Sequence, residues 1–350
     1  MSVATDIARR MMTAGDSLSA GTVQWGNRRR PAPALALTRR DLSLLALTFD
    51  VNFLSASQLL AFGWGQSGER AGQRRLTRLH DAGYFDRFRP VSAIGSAEWN
   101  YRVTASGWSA LVEHGVFDSD RRYTPSALTS ISYTEHDLQL AALVLRIAHD
   151  VRPADRGPLL DRMPFLWHGP QSGRIDPDEL AEHGKPPSPA MQLHPESSRR
   201  GYLEPDATLT AQTDAGNWAV LIEYDRTERP HKQIDRFRRY DRWLLDGWNH
   251  GRFSAHVTPP SVLFLTARER PLRRLVETAD QTFTAWHGRQ HAGPREGTHP
   301  ARHRAVFTSR DRILDGDWTM LRTPSLPPDC RDEPRCIART VAYSLPSLFA

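Results

Sequence analysis

Lysine is almost missing from this 350-residue chain: of its 46 basic residues only Lys185 and Lys232 are lysines, and the remaining 44 are arginines. Cysteine is just as scarce. Cys330 and Cys336 cannot make a disulfide framework, and no CxxC or adjacent histidine pair gives zinc-ligand spacing, so a reducing cytoplasm is the expected compartment. Long apolar runs are also lacking. The best, Ala141 to Ala148, is broken by Arg146 and falls well short of the roughly 20 residues a membrane span requires. The opening MSVATDIARRMM has arginines but no apolar stretch or small-residue cleavage site, so no secretory leader is expected. These absences predict a soluble protein with no membrane partner.

What is present supports folded domains. Hydrophobic residues make up 39% and charged residues 25%, which excludes wholesale disorder, and the length favours two domains over one. The formal net charge is +6, and its placement is more informative than its size. Arginine in place of lysine throughout is what a genome-wide codon bias produces. Between residues 21 and 102, however, twelve arginines face six acids, an excess equal to that of the whole chain. A basic first third joined to a near-neutral remainder points to a polyanionic partner.

Residues 1–37, with Arg28-Arg29-Arg30 followed by prolines, are expected to be a mostly disordered basic arm. Thr38 caps a first helix with Asp41 in the capping-box position, Ser55 caps a short second helix to Phe62, and Ser67 caps a third running to about Ala82 before Gly83. Tyr84 to Arg89 and Glu98 to Val103 read as a hairpin, and Thr104 opens another helix. Three helices, a hairpin and a helix in this order predict a winged helix-turn-helix over 38–122. On the third helix Gly72, Leu76 and Leu79 share one face while Arg70, Arg74 and Arg78 form a stripe on the other. A core face backed by guanidinium groups suits a helix lying in the major groove of double-stranded DNA. Arg75 and the hairpin arginines Arg87, Arg89 and Arg102 complete the expected DNA-binding set. A solvated basic helix in a protein adaptor is the competing reading of the stripe alone.

After Tyr123 the pattern changes. A helix to about Asp150 is followed by a short strand at 165–167 and a Gly-, Pro- and His-rich insertion over 169–201. Strands at Leu203 to Ala211, Trp218 to Tyr224, Ser261 to Thr266 and Arg304 to Thr308 alternate with helices at Pro230 to Leu245 and Leu272 to Trp286, which predicts an α/β layer with a mixed sheet over 123–314. The tail 315–350 is expected to be irregular. Asp206 and Glu223, presented by adjacent strands, are carboxylates that can bind a divalent cation such as Mg²⁺ or Mn²⁺ and activate water on a phosphodiester. Arg226 and Lys232 are candidate sources of transition-state charge, with Asp225 as a third carboxylate and Glu135 or His136 as further neighbours. Tyr133 and Tyr240 are read as core or surface residues, because the His-hydrophobe-His triad of tyrosine relaxases is absent.

At Asp206 and Glu223 the chain resembles the PD-(D/E)xK nuclease fold, whose core runs helix, strand, strand, strand, helix, strand. The set RRLTRLHDAGYFDRFRP, EPDATL and LIEYDRTERPHKQIDRFRRY, over about 38–268, resembles the replication-relaxation family, related to plasmid mobilisation relaxases. The resemblance implies a restriction-endonuclease-like domain, with Asp206 as its motif aspartate and Glu223 as its motif glutamate. Asp225 stands where the motif lysine belongs, and Lys232, nine residues beyond Glu223, is the displaced alternative. Two readings stand. One is a metal-dependent DNA nickase or endonuclease of plasmid or mobile-element mobilisation. The other is a non-catalytic DNA-binding regulator or replication accessory protein with a degenerate nuclease fold. A second copy of the chain, making a homodimer, is a further candidate partner.

Overall fold

The computed structural model describes residues 23–28, 35–65, 67–90, 97–118, 123, 131–151, 157–175, 203–213, 216–226, 230–249, 251–256, 258–288, 302, 304–323 and 340–341. The chain forms two compact units, Met1–Pro164 with His168–Ser172, and Phe165–Trp167 with Gly173–Ala350. One is built around an antiparallel sheet and the other around a mixed sheet. Both Cys330 and Cys336 lie outside the described residues, as does most of the 169–201 insertion. Among the described residues no helix is long and apolar enough to cross a membrane.

In the first unit β1 (Val23–Trp25) precedes α1 (Arg39–Asp50), β2 (Leu54–Ser55), α2 (Ala56–Gly63), α3 (Glu69–Asp81), β3 (Phe85–Pro90), β4 (Asn100–Val103), α4 (Ala105–Glu113) and α5 (Ile131–Val151). The caps form where short polar side chains precede apolar periodicity. Thr38 Oγ1 accepts from Asp41 N, and Asp41 Oδ2 accepts in return from Thr38 N at 2.7 Å. Ser55 and Gln58 make the same reciprocal pair at α2, and Thr104 Oγ1 caps α4. The expected Ser67 cap does not form. α3 begins at Glu69 after Gly68, without a side-chain cap, and leans on packing instead.

Gly72 provides that packing. A Cβ there would stand 2.4 Å from Leu60 Cδ2 and 2.8 Å from Trp64 Cδ2, so its absence lets α3 close onto α2. Gly83, at φ +87°, then turns the chain from α3 into β3. Leu44, Leu45, Leu59, Leu76, Leu79, Phe85, Phe88 and Leu111 fill the core, and Phe49 meets Trp108 at 4.7 Å between ring centroids.

Two features of this unit depart from the sequence reading. Part of the expected disordered arm is a strand: β1 pairs antiparallel with β3, Trp25 opposite Phe88, and Gly26 N donates to Arg87 O. The sheet order is therefore β1-β3-β4-β2. The second feature is α5, which the sequence reading grouped with the following domain. Gln58 Nε2 donates to Leu138 O at 2.7 Å and Asn52 Nδ2 to Asp137 Oδ2 at 3.1 Å, so α5 packs within the first unit. Hydrophobic periodicity shows that a helix needs cover, not which core supplies it.

The second unit holds β5 (Leu166–His168), β6 (Ala207–Thr213), β7 (Gly216–Asp225), α6 (Pro230–Asp246), β8 (Ser261–Thr266), α7 (Glu269–Gly288), β9 (Ala305–Ser309), α8 (Arg310–Asp315), β10 (Met320–Leu321) and β11 (Thr340–Val341). Its sheet runs β11-β10-β9-β8-β7-β6-β5, with β7, β8 and β9 parallel and β6 and β10 antiparallel to their neighbours. The tail is thus not wholly irregular, since β10 and β11 extend the sheet. Strands buried on both faces read as continuous apolar runs, as SVLFLT does in β8. On one face Leu221, Val262, Phe264 and Phe307 pack under Phe237, Tyr240 and Leu244 of α6 and Leu272, Leu275 and Phe283 of α7.

Gly72→Ala is expected to lower the unfolding free energy by about 1–3 kcal/mol through overpacking against Leu60 and Trp64. Denaturant unfolding checks this, and an unchanged midpoint would contradict the close approach of α2 and α3.

Candidate functional site

The first candidate surface is on α3. Gly72, Leu76 and Leu79 are buried, while Arg70, Arg74 and Arg78 are exposed on the opposite side. Among the described residues none of these three arginines meets a carboxylate. Arg75, one position off the stripe, is differently placed. Its guanidinium bonds both oxygens of buried Asp41, Nε at 3.1 Å and Nη2 at 2.6 Å, and also reaches Ala36 O. Burial pushes the Asp41 carboxyl up, but the bonds from Arg75 and Thr38 outweigh it and hold it below the usual carboxylate value. Arg75 therefore ties α3 to the N-terminus of α1.

The hairpin arginines stack on indoles. Arg87 and Arg89 lie 4.7 and 4.5 Å from the Trp99 ring centre, and Arg102 lies 4.6 Å from that of Trp25. Arg102 also donates to Asp86 Oδ2 at 3.2 Å, and Arg28 bonds the same carboxylate through Oδ1.

The second candidate surface is the acidic end of β7. An apolar strand that must be buried ends in Glu-Tyr-Asp, so the acids are carried inside with it: Glu223 is 3% and Asp225 8% exposed. The register Ala207↔Ile222 brings Asp206, one residue before β6, alongside Glu223, and Asp206 Oδ2 accepts from Tyr224 N at 2.7 Å. Strand alternation puts Glu223 and Asp225 on the side covered by α6. There Tyr240 Oη donates to Glu223 Oε1 at 2.5 Å and Arg236 Nη1 meets Glu223 Oε2 at 2.7 Å. The Glu223 charge, opposed by burial and reinforced by Asp206, Tyr240 and Asp225, raises the Arg236 pKa far above its ordinary value. Burial first, and then the Glu223 charge and hydrogen bond, push the Tyr240 phenol well above 10.0.

The structure brings together Asp206, Glu223 and Asp225. It groups Arg226 with Tyr224 and Arg310 instead: Tyr224 is raised by burial, and Arg310 and then Arg226 oppose the rise. The side chains of Lys232 and Tyr133 lie outside the described residues, and Glu135 and His136 lie on α5 in the first unit. Sequence reasoning missed Arg236 as the cation. Its signal was there: Arg236 and Tyr240 are four residues apart on α6, about one helical turn, beside the apolar positions Phe237 and Leu244. An arginine beside a buried stripe calls for an acid partner, and Glu223 is that acid.

A divalent cation needs free carboxylate oxygens. Here Glu223 Oε1 and Asp206 Oδ2 accept hydrogen bonds, Glu223 Oε2 is ion-paired with Arg236 though it accepts no hydrogen bond, and among the described residues no three Asp, Glu, His or Cys side chains form a metal-holding group. In this arrangement the residues do not fit a metal ion.

Arg236→Met is expected to cost about 2–3 kcal/mol of stability. The figure is set below the ~3–5 kcal/mol of a wholly buried pair because the Arg236 side chain is 36% exposed. Adding Glu223→Gln should recover part of the loss in denaturant unfolding, and a silent Arg236→Met would contradict the pairing. Because Tyr240 holds its proton more tightly when folded, its contribution is complete below pH 10.0 and falls away as pH rises above it. Tyr240→Phe should flatten the loss of thermal stability above that pH, and an unchanged slope would count against the buried bond. Tyr101, Tyr123 and Tyr224 are raised too, so the slope is reduced rather than abolished.

No curated protein and no solved structure matches the chain. The sequence profile described as replication-relaxation does match, over residues 45–254, more than half of the chain and a span that includes α3, the β3–β4 hairpin, Asp206, Glu223, Arg236 and Tyr240. The chain belongs to the replication-relaxation family.

Proposed function

We propose that this is a DNA-binding accessory protein of plasmid or mobile-element replication or mobilisation, in which a winged helix-turn-helix reads double-stranded DNA and a nuclease-like second unit acts without metal-dependent cleavage. The observation that carries the reading is the exposed stripe of Arg70, Arg74 and Arg78, free of acid partners among the described residues and backed by a buried face. α2 and α3 form the helix-turn-helix, and β3 and β4 with β1 form the wing. Arginines spaced one turn apart along one helix face can contact phosphates and guanine edges in the major groove.

Within the second unit the chain order β5, β6, β7, α6, β8 follows the strand, strand, strand, helix, strand part of the PD-(D/E)xK core, while the preceding helix, α5, packs with the first unit. That agreement supports common descent of the scaffold. The engagement of Glu223 by Arg236 and Tyr240 favours the accessory reading over the nickase, because the carboxylate that would hold Mg²⁺ or Mn²⁺ already has its cation.

Fluorescence anisotropy on duplex DNA across a salt series tests the reading. Wild type should lose affinity steeply as salt rises. The triple Arg70→Ala, Arg74→Ala, Arg78→Ala variant should fold normally and bind more weakly, with the slope of log K against log salt smaller by about 0.9 for each phosphate that is no longer neutralised. Equal affinity and slope in the two proteins would remove α3 from the interface.

A further inference from the structure

The arginine stripe of α3 does not use the aromatic residues of the neighbouring ribbon. Trp25, 43% exposed, is one of the few large apolar side chains left open among the described residues. It stands on β1, at the sheet edge, with Phe88 beside it at 5.6 Å and the Arg102 guanidinium over it at 4.6 Å. Trp99, half-buried just before β4, carries Arg87 and Arg89. The β3–β4 register, which pairs Phe88 with Asn100, brings Arg89 alongside Trp99, and the β1–β3 register puts Gln24 against Arg89, whose Nε donates to Gln24 Oε1 at 2.9 Å. Gly26 leaves room for this assembly, since a Cβ there would stand 2.5 Å from Arg87 Nε. One small ribbon thus carries two indoles, each capped by guanidinium: Trp25 on the face it shares with Phe88 and Arg102, and Trp99 on the opposite face with Arg87 and Arg89.

We infer that the indoles on the two faces of this ribbon are separate stacking positions for unpaired bases of single-stranded DNA, an inference that rests on the DNA-binding reading above. Duplex DNA offers the wing phosphates and groove edges but hides its base faces. Those faces become available only where the strands part, and indole rings and guanidinium planes are the groups on which splayed bases stack. Arginine supplies both the plane and the phosphate charge, while every base has a π-face, so the contact is tolerant of sequence. Arg28, 39% exposed, adds positive charge at the same end, partly offset by Asp86. With α3 on paired DNA and the ribbon on unpaired DNA, the first unit is suited to a junction where a duplex opens.

The experiment compares a short oligothymidylate with a duplex, using the full-length protein and following tryptophan fluorescence and anisotropy. Wild type should bind both, with indole quenching by the oligothymidylate. Trp25→Leu and Trp99→Leu should each weaken oligothymidylate binding by about tenfold, near the low end for removal of a base-on-aromatic stack, and change duplex affinity less than about twofold. Trp25→Phe, which keeps a ring, should retain most of the binding and controls for folding. Oligothymidylate binding unchanged in both leucine variants would overturn the inference, as would an equal loss on both DNAs. Wild type that binds duplex but not oligothymidylate would overturn the stacking positions and leave α3 as the reader, whereas wild type that binds neither would overturn both.

Discussion

A carboxylate at the end of an apolar strand cannot be buried without a positive partner, and the second unit is arranged around that constraint at Glu223. Removing a carboxylate from water costs several kcal/mol even after the protein relaxes, so β7 can lie at the centre of the sheet only if its neighbour supplies charge and a hydrogen bond. α6 does both with residues one turn apart: Arg236 pairs with one oxygen and Tyr240 donates to the other. The same helix face places Phe237 and Leu244 in the core below, so the position of the cation and the packing of α6 depend on each other. Asp206 is fixed by the backbone of β7, which joins the β6–β7 hairpin to the same cluster.

The first unit sorts its arginines by a similar rule. Where an acid is buried nearby, the guanidinium becomes structural, as Arg75 does with Asp41. Where an indole is nearby it stacks, as Arg87, Arg89 and Arg102 do. Among the described residues Arg70, Arg74 and Arg78 meet no acid, and their charge is the part that the proposed DNA contact would use. Total arginine content therefore says little about the interface, while local pairing says much.

Much of the local structure was legible in the sequence because its causes are local. Thr38 with Asp41, and Ser55 with Gln58, are complete capping signals within four residues, and β8 coincides with the apolar run SVLFLT. The two faces of α3 follow from helical periodicity alone. What was not legible depends on partners distant in the chain. β1 is a strand because β3 offers an edge to it, β10 because β9 does and β11 because β10 does, while their own sequences are short and irregular. Asp206, Glu223 and Asp225 could be named from spacing and resemblance, but their cation could not. The motif lysine points to Lys232, which lies one turn before Arg236 on the same helix.

The most direct test of the account is incubation of the full-length protein with supercoiled plasmid, with Mn²⁺ and with a chelator. A built-in cation at Glu223 predicts that the plasmid is bound and retarded in both conditions and stays supercoiled. Mn²⁺-dependent conversion to the nicked form by wild type, lost in Asp206→Ala, would contradict it.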